Sequence, residues 1–239
     1  MSSSFQGLYF DRVYSSVYDL TVAQLPAYRR LQSNTLNRVA LFDGCSILSV
    51  GSGTGNELIG LLERPMGTRL SLTAVDLSRR SLVRASRKAS RKGKALDVVQ
   101  MDAQHLAFAD GQFDCVLCLH TMDFLPDPVS ATRETLRVLR RGGEFVISYP
   151  SGEGIGGVAG LAARSVLRKV RLGKLGGALK EGLASAGAAI AYAPLAVAVK
   201  PRILYSLPEI ETLMASQGIR EYDVEEDHAY GDLIVWGRR

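Results

Sequence analysis

Ser46-Ile47-Leu48-Ser49-Val50-Gly51-Ser52-Gly53-Thr54-Gly55 carries the strongest fold signal in the chain. An apolar run meets three glycines spaced by two, and Asn56-Glu57-Leu58-Ile59-Gly60-Leu61-Leu62 follows with apolar residues at helical spacing. The run reads as a buried parallel strand, and the continuation as the start of a helix. Glycines between them allow backbone conformations and close approaches that a Cβ blocks. The expected product is a strand–loop–helix turn whose exposed N–H groups can hold a polar ligand. A tight turn with no ligand explains the same glycines, so this motif alone is a weak signal.

The following strands strengthen it. Leu70-Ser71-Leu72-Thr73-Ala74-Val75 is apolar and ends in Asp76. That carboxylate falls about 20 residues past the glycines, where open α/β sheets accept hydrogen bonds from ribose hydroxyls. Leu96-Asp97-Val98-Val99-Gln100-Met101 ends in Asp102-Ala103, and Phe113-Asp114-Cys115-Val116-Leu117-Cys118-Leu119 ends in His120. Four strands thus finish in small or polar residues at one rim, the side on which such sheets bind ligands. The glycines, Asp76 and Asp102 form a constellation shaped for a nucleoside.

These residues resemble those of the class I S-adenosylmethionine-dependent methyltransferases, in the branch that modifies small molecules and lipids. The matching pieces are Val50-Gly51-Ser52-Gly53-Thr54-Gly55, Val75-Asp76-Leu77-Ser78, Met101-Asp102-Ala103, Phe113-Asp114-Cys115-Val116 and Leu139-Arg140-Arg141-Gly142-Gly143-Glu144-Phe145. The resemblance implies a doubly wound, seven-stranded, mostly parallel α/β sheet closed by a C-terminal antiparallel hairpin. It implies S-adenosylmethionine as cofactor, with Gly51, Ser52, Gly53 and Gly55 at its methionyl end and Asp76 with Leu77 at the ribose. Asp102, Ala103 and Gln104 would meet the adenine, Leu119 and His120 would lie beside the methyl donor, and Tyr18 would close the pocket. One residue departs from the pattern. The family carries an acid two positions before the first glycine, where it helps hold the cofactor's amino group, and this chain has Ser49.

Length and composition bound the rest. A chain of 239 residues that is 46% hydrophobic can bury a large core, and one α/β domain with an insertion is the economical reading. A net charge of +5 is mild and sits in two segments, so it does not by itself indicate a nucleic-acid partner. Asp123-Phe124-Leu125-Pro126 also differs from the Asn/Asp-Pro-Pro-aromatic motif of base-modifying enzymes. Three cysteines argue against a disulfide framework and for a reducing, cytoplasmic setting. Cys115 and Cys118 lie three apart in a strand, so their sulfurs point to opposite faces. The histidines (His105, His120, His228) are scattered, and no metal site is expected. Met1–Gly7 lacks the order of a signal peptide. The longest uncharged run, Gly182 to Val199, is Ala- and Gly-rich and too short to span a bilayer.

The chain divides into four parts. Residues 1–42 are a helical leader whose Tyr14 and Tyr18-Asp19 are candidates to cover the pocket. Residues 43–150 are the cofactor-binding core. Within it, Ser78 to Lys94 reads as a basic helix capped by Ser78 and stopped by Gly93. Asp127 to Leu139 reads as a helix ended by Gly142-Gly143, with Glu144 to Tyr149 as the fifth strand. Residues 151–205 are a helical insertion, read as a substrate lid. Its basic amphipathic stretch, about 160–180, also suits peripheral contact with an anionic membrane. Residues 206–239 supply a last helix, opened by the capping box Ser206-Leu207-Pro208-Glu209, and the closing hairpin.

The expected activity is methyl transfer to a small-molecule or lipid-like acceptor. Such a transfer needs a base only where the acceptor arrives protonated. His120, Asp123 and His228 are the candidates, with Tyr149 behind them. Two rivals stay open at this point. One is a cofactor-binding protein of the same fold without methyl transfer, cyclase-like or regulatory. The other is a nicotinamide oxidoreductase, against which the third glycine comes one residue early and no Tyr-x-x-x-Lys occurs. Oligomeric state is equally open, a homodimer included.

Overall fold

The computed structural model describes residues 11, 15, 18–20, 23, 26–63, 70–151, 163, 165–198, 203–227 and 231–239. One seven-stranded sheet organises them: β1 (Ser46–Val50), β2 (Ser71–Asp76), β3 (Asp97–Gln100), β4 (Phe113–Cys118), β5 (Leu139–Pro150), β6 (Glu221–Asp227) and β7 (Asp232–Arg238). The strand order is β3-β2-β1-β4-β5-β7-β6. The first five run parallel, while β7 pairs antiparallel with both β5 and β6. This is the doubly wound sheet with a closing hairpin expected above.

Central strands are apolar on both sides because both faces of the sheet are covered. Alternation sorts their side chains. Leu48, Val50, Val116 and Cys118 face a core shared with α4 (Pro128–Arg137) and α6 (Leu207–Ser216). Ile47, Cys115 and Leu117 face the opposite core, shared with α1 (Pro26–Leu36), α2 (Asn56–Leu62) and α3 (Arg79–Arg91). The two cysteines three residues apart therefore lie on opposite faces, and all three cysteines are free and buried. Burial pushes the Cys118 thiol up to about 12, so it behaves as a small apolar side chain.

Local signals place the helix ends. The Ser78 hydroxyl accepts a hydrogen bond from the Ser81 N–H, and Gly93 stops α3 in a left-handed conformation at φ +67°. Ser206 and Glu209 form the capping box of α6, the Glu209 carboxylate accepting the Ser206 N–H at 2.7 Å. One boundary needs correction. Helix α4 ends at Arg137, and β5 starts at Leu139, opposite Phe113, well before the two glycines. Gly142 and Gly143 belong to an irregular stretch of β5. A Cβ on Gly143 would stand 2.8 Å from the Asp114 carbonyl oxygen. Leu136 and Leu139 fit a helical period equally well; pairing with β4 decides between the two readings.

In the insertion, residues 165–171 are helical and α5 (Leu175–Ala198) follows after a turn. Helix α5 touches the short turn Tyr18–Leu20 of the leader. Leu167, Leu172, Leu175, Leu179 and Leu183 are all more than half exposed, unlike the leucines of the sheet. Among the described residues, no helix is long and apolar enough to cross a membrane.

Candidate functional site

The parallel strands end on a cavity of about 240 Å³. Its floor is the turn after β1. Gly51 and Gly53 take φ values of +65° and +52°, which a side chain rarely adopts. A Cβ on Gly51 would also stand 2.1 Å from the Thr121 hydroxyl, so the first glycine is demanded by the β4 side of the rim. Gly53 N–H donates to one Asp76 oxygen at 2.8 Å and Ser78 N–H to the other at 2.7 Å. Asp76 is thus pinned at the end of β2 with its carboxylate in the cavity wall. Burial raises its pKa to about 6 despite those two donors.

Most residues singled out from the sequence meet in this wall: Tyr18, Gly51, Ser52, Gly53, Asp76 and Leu77 from one side, and Asp102, Ala103, Gln104, Leu119, His120 and Asp123 from the other. Gln104 holds Asp102 in place through its backbone and side-chain N–H groups, at 2.9 and 3.1 Å. His105 is exposed in the same loop. Gly55 is not in the wall. It opens α2 at φ +75°, where a Cβ would lie 2.7 Å from the Ala85 Cβ, so it serves helix packing. Tyr14 and His228 lie outside the described residues. Tyr149 is a core residue: it is fully buried, and its hydroxyl stands 2.8 Å from that of Thr132. Burial drives its pKa far up, and it takes no part in the wall.

The leader is tied to the floor through charge. Asp19 accepts hydrogen bonds from the Thr54 hydroxyl at 2.6 Å and from the Lys88 ammonium at 2.7 Å. Lys88 also donates to Asn56. One cation of the basic helix is thereby used to anchor the leader beside Tyr18.

His120 forms the far end of the cavity. It stands just past β4 in a left-handed conformation, φ +52°, unusual for a residue with a Cβ. Its N–H donates to the Ser148 hydroxyl at 2.8 Å. Its Nδ1 lies 3.0 Å from Oδ2 of Asp232, a carboxylate 1% exposed at the start of β7. Asp123 and Glu57, both buried, add negative charge nearby. Burial alone would lower the imidazole pKa. The contact with Asp232 and the charges of Asp232, Asp123 and Glu57 outweigh it and hold the pKa above the usual histidine value. Ligand-type atoms of His120, Asp123 and Asp232 lie within 4.8 Å of one another. One histidine and two aspartates thus converge, His120 and Asp123 from the segment after β4 and Asp232 from the start of β7.

Three wall or support residues escaped the sequence reading: Asp232, Glu57 and Tyr28. Asp232 sits beside a hairpin turn, where an acid ordinarily reads as solvated. Glu57 reads as a first-turn helix acid. Tyr28, in the leader helix, is 2% exposed and donates its hydroxyl to Glu57 at 2.9 Å. The available signal was an acid directly before the apolar run Leu233 to Trp236, and it is faint.

Comparisons with known proteins agree with this geometry. Residues 48–147 match the model of the methyltransferase domain family. The chain is 36% identical over 107 residues to a phosphatidylethanolamine N-methyltransferase of Cereibacter sphaeroides, covering 44% of this chain and 50% of that one. It is 32% identical over 120 residues to a ubiquinone biosynthesis O-methyltransferase of Pseudomonas paraeruginosa, covering 49% and 50%. The chain spans about half the length of these curated relatives. In fold it is similar to a SAM-dependent methyltransferase of Aquifex aeolicus, with a TM-score of 0.55 at 17% identity, covering 99% of this chain and 97% of that one. The cavity suits the cofactor of such proteins. Its floor is open backbone at Gly53, where a Cβ would meet nothing within 4 Å. The Ser52 hydroxyl is buried there with no partner among the described residues, as expected of a group awaiting a polar ligand. Residues 48–147 thus match the methyltransferase domain family, and the sheet order and the structural likeness give the chain the fold of the class I S-adenosylmethionine-dependent methyltransferases.

Proposed function

We propose that this protein moves a methyl group from S-adenosylmethionine to a small-molecule or lipid-like acceptor whose reacting atom arrives protonated. The observation that carries the reading is the pairing of His120 with buried Asp232 in the wall of the cofactor cavity. When bound, the cofactor supplies a methyl group already activated on a sulfonium. The chain's own residues then have two tasks: to position the acceptor, and to take its proton.

Gly51, Ser52 and Gly53 present backbone and hydroxyl groups to the methionyl end, Asp76 and Leu77 receive the ribose, and Asp102, Ala103 and Gln104 receive the adenine. Leu119 walls the approach to the reacting atom. Asp232 engages Nδ1 of His120, which leaves Nε2 as the nitrogen that accepts the acceptor's O–H, N–H or acidic C–H proton. The resulting imidazolium is stabilised by the carboxylates of Asp232 and Asp123. Positioning contributes the rest of the rate.

The leader (1–42) and the insertion (151–205) act as the cover of this core (43–150 with 206–239). Contact of α5 with the Tyr18–Leu20 turn supports that reading. The exposed leucines of residues 165–183, set beside Arg168, Arg171, Lys174 and Lys180, support peripheral contact with an anionic membrane. Buried free cysteines suit a cytoplasmic setting. Cofactor binding without methyl transfer and nicotinamide chemistry are less favoured, since both curated relatives named above carry methyltransferase names.

The test is mass spectrometry of acceptor panels incubated with protein and S-adenosylmethionine. A gain of one methyl on a hydroquinone, phenol or aminolipid is the expected result. Unmodified acceptors beside a saturable cofactor affinity would favour the non-transferring alternative.

A further inference from the structure

The family's acid before the glycine turn is replaced here by Ser49, which is 3% exposed in β1 and takes no part in the cavity wall. Alternation along β1 puts Ser49 on the face of Ile47, the face packed by Leu58 and Leu61 of α2. One residue before Leu58 stands Glu57. Its side chain is buried, lines the cavity and accepts the Tyr28 hydroxyl at 2.9 Å. Tyr28 is itself held between Tyr18 and His120, with ring centroids 5.8 Å from each. Among the described residues no lysine, arginine or histidine forms an ion pair with Glu57. Lys88 of α3, whose charge acts on Glu57, is committed to Asp19, Thr54 and Asn56.

A buried carboxylate facing a cavity without its own cation is costly unless a ligand supplies the charge. Burial indeed raises the Glu57 pKa, and the Tyr28 hydroxyl, His120 and Lys88 oppose that rise. Glu57 lines the same cavity as Asp76 and His120 and interacts electrostatically with both. The amino-acid end of S-adenosylmethionine carries an ammonium of the opposite charge.

We infer that Glu57, oriented by Tyr28, holds the α-ammonium of the cofactor, so the negative charge absent from position 49 is supplied one element later, from α2. The inference rests on the reading of this cavity as a cofactor site. It makes Tyr28 a positioning residue and couples the leader to cofactor affinity. Withdrawal of α1 would remove the hydroxyl that aims the carboxylate.

Calorimetry with two ligands tests it. S-adenosylhomocysteine carries the ammonium; 5′-methylthioadenosine keeps the nucleoside and the thioether but lacks the amino-acid end. Glu57→Gln is expected to weaken S-adenosylhomocysteine by about ten- to a hundredfold and to leave methylthioadenosine within about twofold. Tyr28→Phe should produce a smaller loss with the same selectivity. Equal losses for both ligands, or no loss for either, would overturn the assignment in favour of general pocket damage or an acceptor-facing role. A second measurement needs no variant: the unmodified protein should bind the des-amino analogue of S-adenosylhomocysteine about ten- to a hundredfold more weakly than the parent. Equal affinities overturn the inference while leaving the cofactor site standing. Binding of none of the three ligands removes the cofactor site itself.

Discussion

The rim of the sheet and the hairpin of residues 165–198 follow opposite rules. At the rim, charged side chains are buried: Glu57, Asp123 and Asp232 are at most 7% exposed and converge on one imidazole. In the hairpin, apolar side chains are exposed. Leu172, Leu175, Leu179 and Leu183 are 63–66% exposed, while the acid Glu181 is buried and paired with Lys169. Buried charge is unfavourable unless a ligand or a partner group uses it. Exposed leucines in such number mark a surface that meets something apolar. Under the proposed function the first region serves a small polar molecule and the second an apolar surface, and the two meet where α5 touches the Tyr18–Leu20 turn.

Removing charge from the rim should have the largest effect. If His120 is the base, His120→Asn should lower kcat about 10²–10⁴-fold with cofactor affinity almost unchanged, and the acidic limb of the pH–rate profile should vanish. A fall of less than tenfold with that limb intact would make His120 a wall residue. Asp232→Asn isolates the orienting carboxylate. The imidazole pKa is held up by Asp232, and a base works only when unprotonated. Removing the charge must therefore move the acidic limb to lower pH while kcat falls. NMR titration of the His120 ring in the cofactor-free protein should show the same downward shift. An unmoved titration would reduce the pair to a structural contact.

A smaller effect is expected at the ribose end. Asp76→Ala should weaken S-adenosylmethionine binding by roughly 1.5–3 kcal/mol, because donors of the ligand lose a charged acceptor. Part of this change comes from inside the protein, since Gly53 and Ser78 also lose their shared acceptor. A thermal melt without ligand separates the two contributions. Unchanged affinity by calorimetry would sink the assignment.

The smallest expected effect concerns the hairpin. Replacing Leu175 and Leu179 by serine should lower partition onto anionic vesicles several-fold at constant melting temperature, since these side chains are already exposed. Hydrogen exchange sharpens the contrast. The hairpin should exchange faster than β1 and β4, and protection that rises with vesicles alone favours the membrane face over the lid. Protection that rises with cofactor and acceptor favours the lid.

The sheet, the glycine turn and the positions of Asp76, Asp102 and His120 are legible from the order of residues alone. Each depends on neighbours within one strand–loop–helix unit, where apolar period, glycine conformation and capping act locally. Even the opposite orientations of Cys115 and Cys118 follow from the period of a strand. The start of β5 did not follow, because Leu139 is helical or extended according to whether Phe113 lies beside it. The charge at the site, by contrast, depends on contacts between distant segments. Asp232 meets His120 only because β7 inserts between β5 and β6, and Glu57 meets Tyr28 only because α1 folds back over α2. A carboxylate's role depends on what buries it and what it faces, and for these two residues both are supplied by segments distant in the chain.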